Sequence, residues 1–294
     1  MQSPALTAGH RAALAALAPP LFVVLWATGF IVARYGLPHA PPLAFLALRF
    51  ALAIAVLLVM VVLARAPWPD RAQGWHLVVS GLLIQAGYLS GVWCAIALGM
   101  PAGVSALIVN LQPILTAVAG PWLGERVTRR QWAGLLMGFA GVALVVGDKM
   151  SAQGLSAVTV GLCVLSLLSI TAGTLYQKRY CPSFDLRTGS TIQYAASLAV
   201  VLPLSLWLER GGFAWNAELL LALAWSVLAL SVGAIFLMFA LIRRGAATKI
   251  ASLFYLVPLV TVVLAWLLFD EGFTPLAAAG LVITTVGVAI VQRR

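Results

Sequence analysis

The chain has 294 residues, of which 63% are hydrophobic and only 9% are charged, and its mean hydropathy is +1.04. Soluble domains are about 45–50% apolar and about 25% charged, and a soluble chain of this size could not hide so much apolar surface from water. The net charge of +10 comes from basic residues dispersed in short gaps between apolar runs, which excludes a single nucleic-acid-binding patch. The composition indicates an integral membrane protein without a soluble domain.

Ten apolar runs follow one another along the chain, and each is long enough to span a bilayer as a helix of about 20 residues. Their limits are 17–36, 43–64, 75–98, 102–122, 131–148, 155–177, 187–208, 218–241, 247–268 and 274–292. The runs are continuous and about twice as long as the alternating segments of a β-barrel, which favours helices. The first run is too long for the apolar region of a signal peptide, and we interpret it as an uncleaved span.

The basic residues in the gaps predict the orientation of these spans. With the N-terminus in the cytoplasm, fourteen Lys and Arg residues fall in cytoplasmic segments and three fall outside. The cytoplasmic set is Arg11, Arg65, Arg71, Arg126, Arg129, Arg130, Lys178, Arg179, Arg187, Arg243, Arg244, Lys249, Arg293 and Arg294, and the outer set is Arg34, Lys149 and Arg210. Because one missed span would invert every later segment, the asymmetry predicts ten spans with both termini cytoplasmic.

An internal repeat divides the chain into two halves. An offset of 145 residues aligns Arg34-Tyr35 with Arg179-Tyr180 and Pro113 with Pro258, and an offset of 146 gives nine identities over 21 positions further on. The sequence thus predicts an all-α protein of two five-helix repeats, residues 1–148 and 149–294. Five spans is an odd number, so the second repeat starts on the opposite side of the membrane. Inverted repeats are typical of secondary transporters, whose site lies near the midplane between the halves and which work by alternating access.

Several short stretches resemble the EamA type of the drug/metabolite transporter superfamily, and the resemblance extends over essentially the whole chain. These stretches are Leu48-Arg49-Phe50, Leu111-Gln112-Pro113, Gly124-Glu125, Leu256-Val257-Pro258 and Asp270-Glu271, with Gly134, Gly141, Gly280 and Gly287. Within the superfamily the chain is most similar to bacterial amino-acid exporters, in particular those for aromatic amino acids. The resemblance implies a multi-pass inner (plasma) membrane protein that exports small molecules as a monomer or weak homo-oligomer.

Two prolines within spans four and nine, Pro113 and Pro258, are candidate hinges, because each removes a helix hydrogen bond. The repeat pairs Asn110 with Tyr255 on the faces of these spans, and we expect the two side chains to point at each other across a cargo site. The alternative is that the prolines and neighbouring small residues only permit close helix packing.

Further candidate substrate-binding residues lie on spans one, three and six. They are Trp26, Gln85, Tyr88, Trp93 and Ser169. An unpaired amide in hydrocarbon is unfavourable, so Gln85 is expected to face a cavity or a partner. The aromatic residues could instead belong to the interfacial belt. Arg49, inside span two, could bind a substrate carboxylate or serve as a structural anchor, and the GxxxG spacings of Gly87/Gly91 and Gly134/Gly138 predict helix packing.

The acidic residues define what kind of transport is expected. All eight fall at span ends or in loops, whereas a pump for cations or a proton antiporter usually places a carboxylate mid-membrane. No nucleotide-binding loop, metal-ligand cluster or catalytic constellation is found, so we expect no cofactor, no metal and no enzymatic activity. The sequence favours export of amino acids with aromatic or large apolar side chains. A channel or flippase for another small or lipid-like solute is the alternative.

Overall fold

The computed structural model describes residues 8–119, 128–148, 155–237, 256–269 and 274–292, and within these ranges all regular secondary structure is helical. The helices, numbered here in chain order, are α1 Ala8–Gly36, α2 Pro42–Ala64, α3 Arg71–Ala97, α4 Ala102–Ala119, α5 Arg129–Asp148, α6 Ala157–Tyr180, α7 Leu186–Leu208, α8 Ala217–Leu237, α9 Leu256–Phe269 and α10 Pro275–Gln292. Each one overlaps one of the predicted spans. The first helix begins earlier than predicted, because it continues on the N-terminal side of Pro19-Pro20.

Seven of the described helices are long and apolar enough to cross a membrane, namely α1 to α4 and α6 to α8. In α9 and α10 the apolar helical stretches are shorter. Large apolar side chains face outward from the bundle: Leu63 is 80% exposed and Leu206 is 77% exposed. Surface of this kind suits lipid and not water. The chain is an all-helical, multi-pass membrane protein, and ten crossings stay a prediction.

Contacts between helices follow the pairing that the sequence repeat prescribes, in which α1 to α5 correspond to α6 to α10. The equivalent helices α2 and α7 pack on each other, as do α4 and α9, and α5 and α10. Several other contacts occur in matched pairs. These are α3 with α6 and α8 with α1, α4 with α6 and α9 with α1, and α3 with α7 and α8 with α2. This pattern is expected for two similar halves related by a pseudo-two-fold axis.

Two stretches of wide π-helix lie at equivalent positions of the two halves. Residues Leu82–Gly87 form one in α3, and residues Trp225–Ala234 form the other in α8. Shifting the first range by the repeat offset of 145 places it at 227–232, inside the second. Such turns are rare and are frequently found at functional sites. The sequence did not predict them.

Helix α4 is interrupted, though not by a simple proline kink. It consists of Ala102–Val109 and Gln112–Ala119, with a turn at Asn110 and Leu111. Pro113 lies in the first turn of the second segment, where its missing N–H removes no helical hydrogen bond. The interruption of the helix therefore lies just before the proline, and a hinge role for Pro113 stays a prediction. Pro258 lies within α9, whose backbone is helical there.

Glycines permit the closest helix contacts. A Cβ added at Gly87 would collide with Ser169 Oγ, and one added at Gly91 would collide with Ser166 Oγ, so α3 and α6 meet along the predicted GxxxG surface. Likewise, a Cβ at Gly287 of α10 would lie 2.7 Å from the backbone nitrogen of Gly138 in α5. The large contacts of α5 are with α10, and this pair lies at the edge of the described bundle.

Hydrogen bonds between the halves define two faces of the bundle. On one face, Thr188 Oγ1 donates to the Pro67 carbonyl (2.9 Å) and Gln73 Nε2 donates to the Ser183 carbonyl (2.8 Å). On the other, the Ala214 N–H donates to the His39 carbonyl (2.8 Å). Segments that the basic-residue pattern predicts to be cytoplasmic thus meet on one face, and segments predicted to be external meet on the other.

Candidate functional site

A cavity of about 70 Å³ lies between the two halves. A water molecule needs about 10–15 Å³ on the same measure, so the space has room for a small solute. The cavity is lined by Trp26, Gly29, Phe30, Arg49, Ile84, Gln85, Tyr88, Leu89, Val92, Trp93, Tyr194, Leu230, Ala234 and Ile235. Helices α1, α2 and α3 of the first half and α7 and α8 of the second contribute these side chains.

The structure brings together four of the seven predicted substrate-binding residues. Trp26, Gln85, Tyr88 and Trp93 line this cavity, and so does Arg49.

Two of the predicted residues lie away from the cavity, and a third cannot be placed. Asn110 does not line it, because the helix turns at this residue and its amide donates back to the Ala106 carbonyl (2.7 Å). Ser169 also lies apart, since its hydroxyl donates to the Leu83 carbonyl in the π segment of α3 (2.8 Å). Tyr255 is outside the described residues.

Arg49 is a buried cation, 5% exposed, in the wall of the cavity. Its Nε donates to the Ser231 hydroxyl of α8 (3.1 Å). Within the described part of the chain its two terminal nitrogens make no hydrogen bond. Among the described side chains, Ser90 Oγ is the one polar atom that is sealed from solvent and makes no hydrogen bond. The terminal nitrogens of Arg49 also make no hydrogen bond, but they are not sealed. They are therefore reachable, and the cavity provides the access.

Gln85 and Tyr88 provide two further polar groups. Both side chains are nearly buried, at 8% and 7% exposure, and both line the cavity. Neither side chain forms a hydrogen bond with another described residue, and neither has a sealed polar atom. The amide can donate or accept, and so can the phenol. The cavity thus combines a guanidinium, an amide and a hydroxyl whose hydrogen-bonding capacity is open to a solute.

Aromatic rings form much of the remaining wall, and a second layer of rings supports them. Trp93 stacks on Phe45 of α2, with ring centroids 4.5 Å apart. The ring centroid of Tyr194 lies 5.6 Å from that of Phe50, which also belongs to α2. Rings held in this way can present flat apolar faces to a cargo at low entropic cost.

Among the described residues that line the cavity, none carries a carboxylate. The described part of the chain also contains no group of three or more metal-ligating side chains. The acidic residues Glu209 and Glu218 lie instead at the face that contains His39, and Asp185 lies at the opposite face. The Arg187 side chain donates hydrogen bonds to Asp185 and lowers the pKa of that carboxyl.

The sequence placed Ser169 and Tyr255 of the second half at the site, and it missed the second-half residues that do line the cavity. These residues are Tyr194 of α7 and Leu230, Ala234 and Ile235 of α8. A signal for Tyr194 was present, because the repeat offset of 145 places it at the position equivalent to Arg49. The same offset places Leu230 at the position equivalent to Gln85, although the apolar residues around Leu230 gave no sign of a site by themselves.

Comparisons with known proteins agree with this architecture. A model of the EamA-like transporter family matches residues 12–147 and again residues 158–293. The uncharacterized transporter YvbV of Bacillus subtilis is 27% identical over 95% of this chain and 92% of its own length. A probable amino-acid metabolite efflux pump of Salmonella typhimurium is 28% identical, and one of Escherichia coli is 26% identical, each over 92% of both chains.

A solved crystal structure has the same fold, with a TM-score of 0.71 at 19% identity, over 93% of this chain and 94% of the other. The two matches of the family model together cover nearly all of the sequence, each containing one of the five-helix halves. The chain is a membrane transporter rather than an enzyme, and it belongs to the EamA-like transporter family.

Proposed function

We propose that this transporter exports amino acids, with aromatic and large apolar side chains favoured, from the cytoplasm across the bacterial inner membrane. The observation that carries the proposal is the chemistry of the central cavity, where aromatic faces surround a guanidinium, an amide and a phenol, with no carboxylate among the lining residues that the structure describes. Such a lining suits a zwitterion with an apolar side chain better than a bare cation. Two relatives named as probable amino-acid metabolite efflux pumps support the same cargo class.

Transport proceeds by alternating access in this proposal. The two halves, residues 1–148 and 149–294, are inverted five-span repeats with both termini cytoplasmic, and they rock about the cavity between them. The matched helix contacts and the grouping of loops on two faces support this arrangement. The break in α4 before Pro113 is the hinge on one side, and the region around Pro258 is its counterpart.

Within the cavity, Trp26, Tyr88 and Trp93 contact the cargo side chain, and Gln85 binds its polar end. Stacking contributes roughly 0.5–1.5 kcal/mol per aromatic pair beyond burial of area. That amount favours aromatic cargo by about two- to tenfold without excluding aliphatic amino acids. Asn110 and Ser169 are not part of this site, because their side chains bond to helix carbonyls away from the cavity. Tyr255 stays a prediction.

Counterflow in proteoliposomes tests the proposal. Vesicles loaded with unlabelled L-phenylalanine should accumulate labelled L-phenylalanine transiently and saturably, without an imposed proton gradient. Tyr88→Ala should reduce the rate severalfold, whereas Tyr180→Ala, which changes a tyrosine 43% exposed at the end of α6, should not. Flux that fails to saturate would indicate a channel. Transport restricted to organic cations or lipids would show that the cargo class is wrong.

A further inference from the structure

We propose that Arg49 recognises the carboxylate of the cargo and that Ser231, which belongs to the other half of the chain, positions Arg49 for this contact. The inference rests on the proposed function, since it names the chemical group by which the same cavity selects its cargo. It assigns a binding role to Arg49 in place of a structural one, and it adds a residue that the sequence pattern did not reveal.

Contacts other than the one with Arg49 hold the Ser231 side chain in place. The residue is fully buried in the π segment of α8. Its hydroxyl lies 3.0 Å from the Ser226 carbonyl, five residues earlier, and donates its one proton there. Only its lone pairs are left for Arg49, whose Nε donates to the same oxygen at 3.1 Å. The wide turn of the π helix thus creates an acceptor at a defined place and orientation.

This contact fixes how the guanidinium can bind an anion. With Nε bonded to Ser231, the end formed by the two terminal nitrogens is left for another ligand. Those nitrogens make no hydrogen bond within the described residues, and they are reachable from the cavity. Two parallel N–H groups in a rigid plane match the two oxygens of a carboxylate.

Tyr194 helps to define the same position. Its hydroxyl donates to the Ser231 backbone carbonyl at 3.4 Å, and its ring lies against Phe50 next to Arg49 in α2. A purely structural arginine would use its terminal nitrogens on backbone carbonyls, and no such bond is found among the described residues. A buried cation without an anionic partner is unfavourable, and none of the described lining residues is acidic. A cargo carboxylate provides the missing partner.

Binding to the purified full-length protein tests the assignment. Four ligands share one phenyl ring and differ in their polar groups: L-phenylalanine, 3-phenylpropionate, L-phenylalaninamide and 2-phenylethylamine. Quenching of tryptophan fluorescence, checked by calorimetry, gives their affinities. The two carboxylates should bind at least tenfold more tightly than the amide and the amine. Equal or tighter binding of the amide or the amine, or binding of none of the four, would overturn the proposal.

Variants separate recognition from structure. Arg49→Gln should bring the affinity ratio of 3-phenylpropionate to L-phenylalaninamide close to one. If that variant does not fold, Arg49→Lys tests the same point, because it keeps the charge, loses the planar fork and should lower the ratio severalfold.

Ser231→Ala should lower the same ratio about three- to tenfold while leaving the affinity for the amide unchanged, and Ser231→Thr should restore it. Ser226→Ala is the matched control, because the backbone carbonyl that holds Ser231 is retained. If Ser231→Ala lowers the affinity for all four ligands equally, the role of Ser231 is structural and the positioning proposal is wrong.

The binding experiments and the counterflow assay test separate proposals, and either proposal can fail without the other. Counterflow of phenylalanine by a protein that binds acid and amide equally would contradict the role of Arg49 and leave amino-acid export intact. Carboxylate binding that depends on Arg49, without transport of any amino acid, would contradict the proposed cargo and leave the recognition of a carboxylate intact.

Discussion

Replacing Gly141 by alanine is expected to destabilise the protein, because the two peripheral helices are in backbone contact there. A Cβ at Gly141 of α5 would collide with the Gly280 carbonyl and with Thr284 Oγ1, and it would lie 2.7 Å from the Thr284 backbone nitrogen. Since ordinary contact begins near 3.4 Å, the contact with the Thr284 nitrogen alone requires α5 and α10 to separate by roughly 0.7 Å, and the closer Gly280 carbonyl requires more. Overpacking of this kind costs about 1–3 kcal/mol, and the better helix propensity of alanine offsets up to ~1 kcal/mol. We expect a net loss of about 1–2 kcal/mol.

The control lies in the same helix. A Cβ at Gly138 would meet nothing within 4 Å, so Gly138→Ala should be neutral or slightly stabilising. Gly287→Ala, at the repeat equivalent of Gly141, should destabilise the protein by a similar amount. A Cβ added at Gly287 would lie 2.7 Å from the Gly138 nitrogen and 2.9 Å from Met137 Cβ. The free energy of unfolding is measured by SDS titration in mixed micelles. A loss in Gly138→Ala as large as that in Gly141→Ala would refute the described packing.

Three further predictions concern the two faces of the bundle. Glu209→Gln should cost about 1–2 kcal/mol in unfolding free energy, because the Glu209 carboxylate accepts hydrogen bonds from Leu43 N and Ala44 N at the start of α2 (2.8 Å each). Glu218→Gln is the control and should cost under about 1 kcal/mol, because the Glu218 side chain is 65% exposed. Arg187 lowers the pKa of Asp185 below its usual 3.8, so the Asp185 carboxylate stabilises the fold above that pH and loses its effect as the pH falls through the lowered value. The stability difference between wild type and Asp185→Asn should therefore be constant from pH 5 to 7 and shrink below about pH 4; a constant difference down to pH 2 would contradict this. In a cysteine-free background, Gly212→Cys should react with an impermeant thiol reagent in intact cells and Ser183→Cys only after permeabilisation, and the opposite result would invert the predicted orientation.

The sequence repeat predicted much of the helix arrangement. Matching Pro113 with Pro258 and Gly141 with Gly287 implied which helices are equivalent, and the equivalent helices α2/α7, α4/α9 and α5/α10 do pack together. Such pairing is predictable because symmetric halves bury equivalent surfaces. Gly87 and Gly91 were likewise correctly interpreted as packing residues, since small side chains at this spacing have few other uses in a membrane helix.

The site was only partly predictable, because its geometry depends on local backbone deviations. Asn110 seemed to face inward on an ideal helix, but the turn at Asn110 and Leu111 redirects its amide to the Ala106 carbonyl. Ser231 became an acceptor for Arg49 through a π turn, and the apolar sequence around it gives no sign of that turn. Periodicity identifies the face of a regular helix, and it loses the register once the helix is broken or widened.

The rate of phenylalanine counterflow by Gly29→Phe shows whether the cavity between the halves is the cargo site. Gly29 lines the cavity, and a Cβ there would meet only Leu230 Cδ1 at 3.8 Å, so the new ring can enter the cavity without distorting the backbone. Gly161→Phe is the control, since a Cβ at that exposed position would meet nothing within 4 Å. We expect at least a tenfold loss of counterflow in Gly29→Phe and a rate near that of wild type in Gly161→Phe. A folded Gly29→Phe protein that transports phenylalanine as fast as wild type would contradict this role of the cavity.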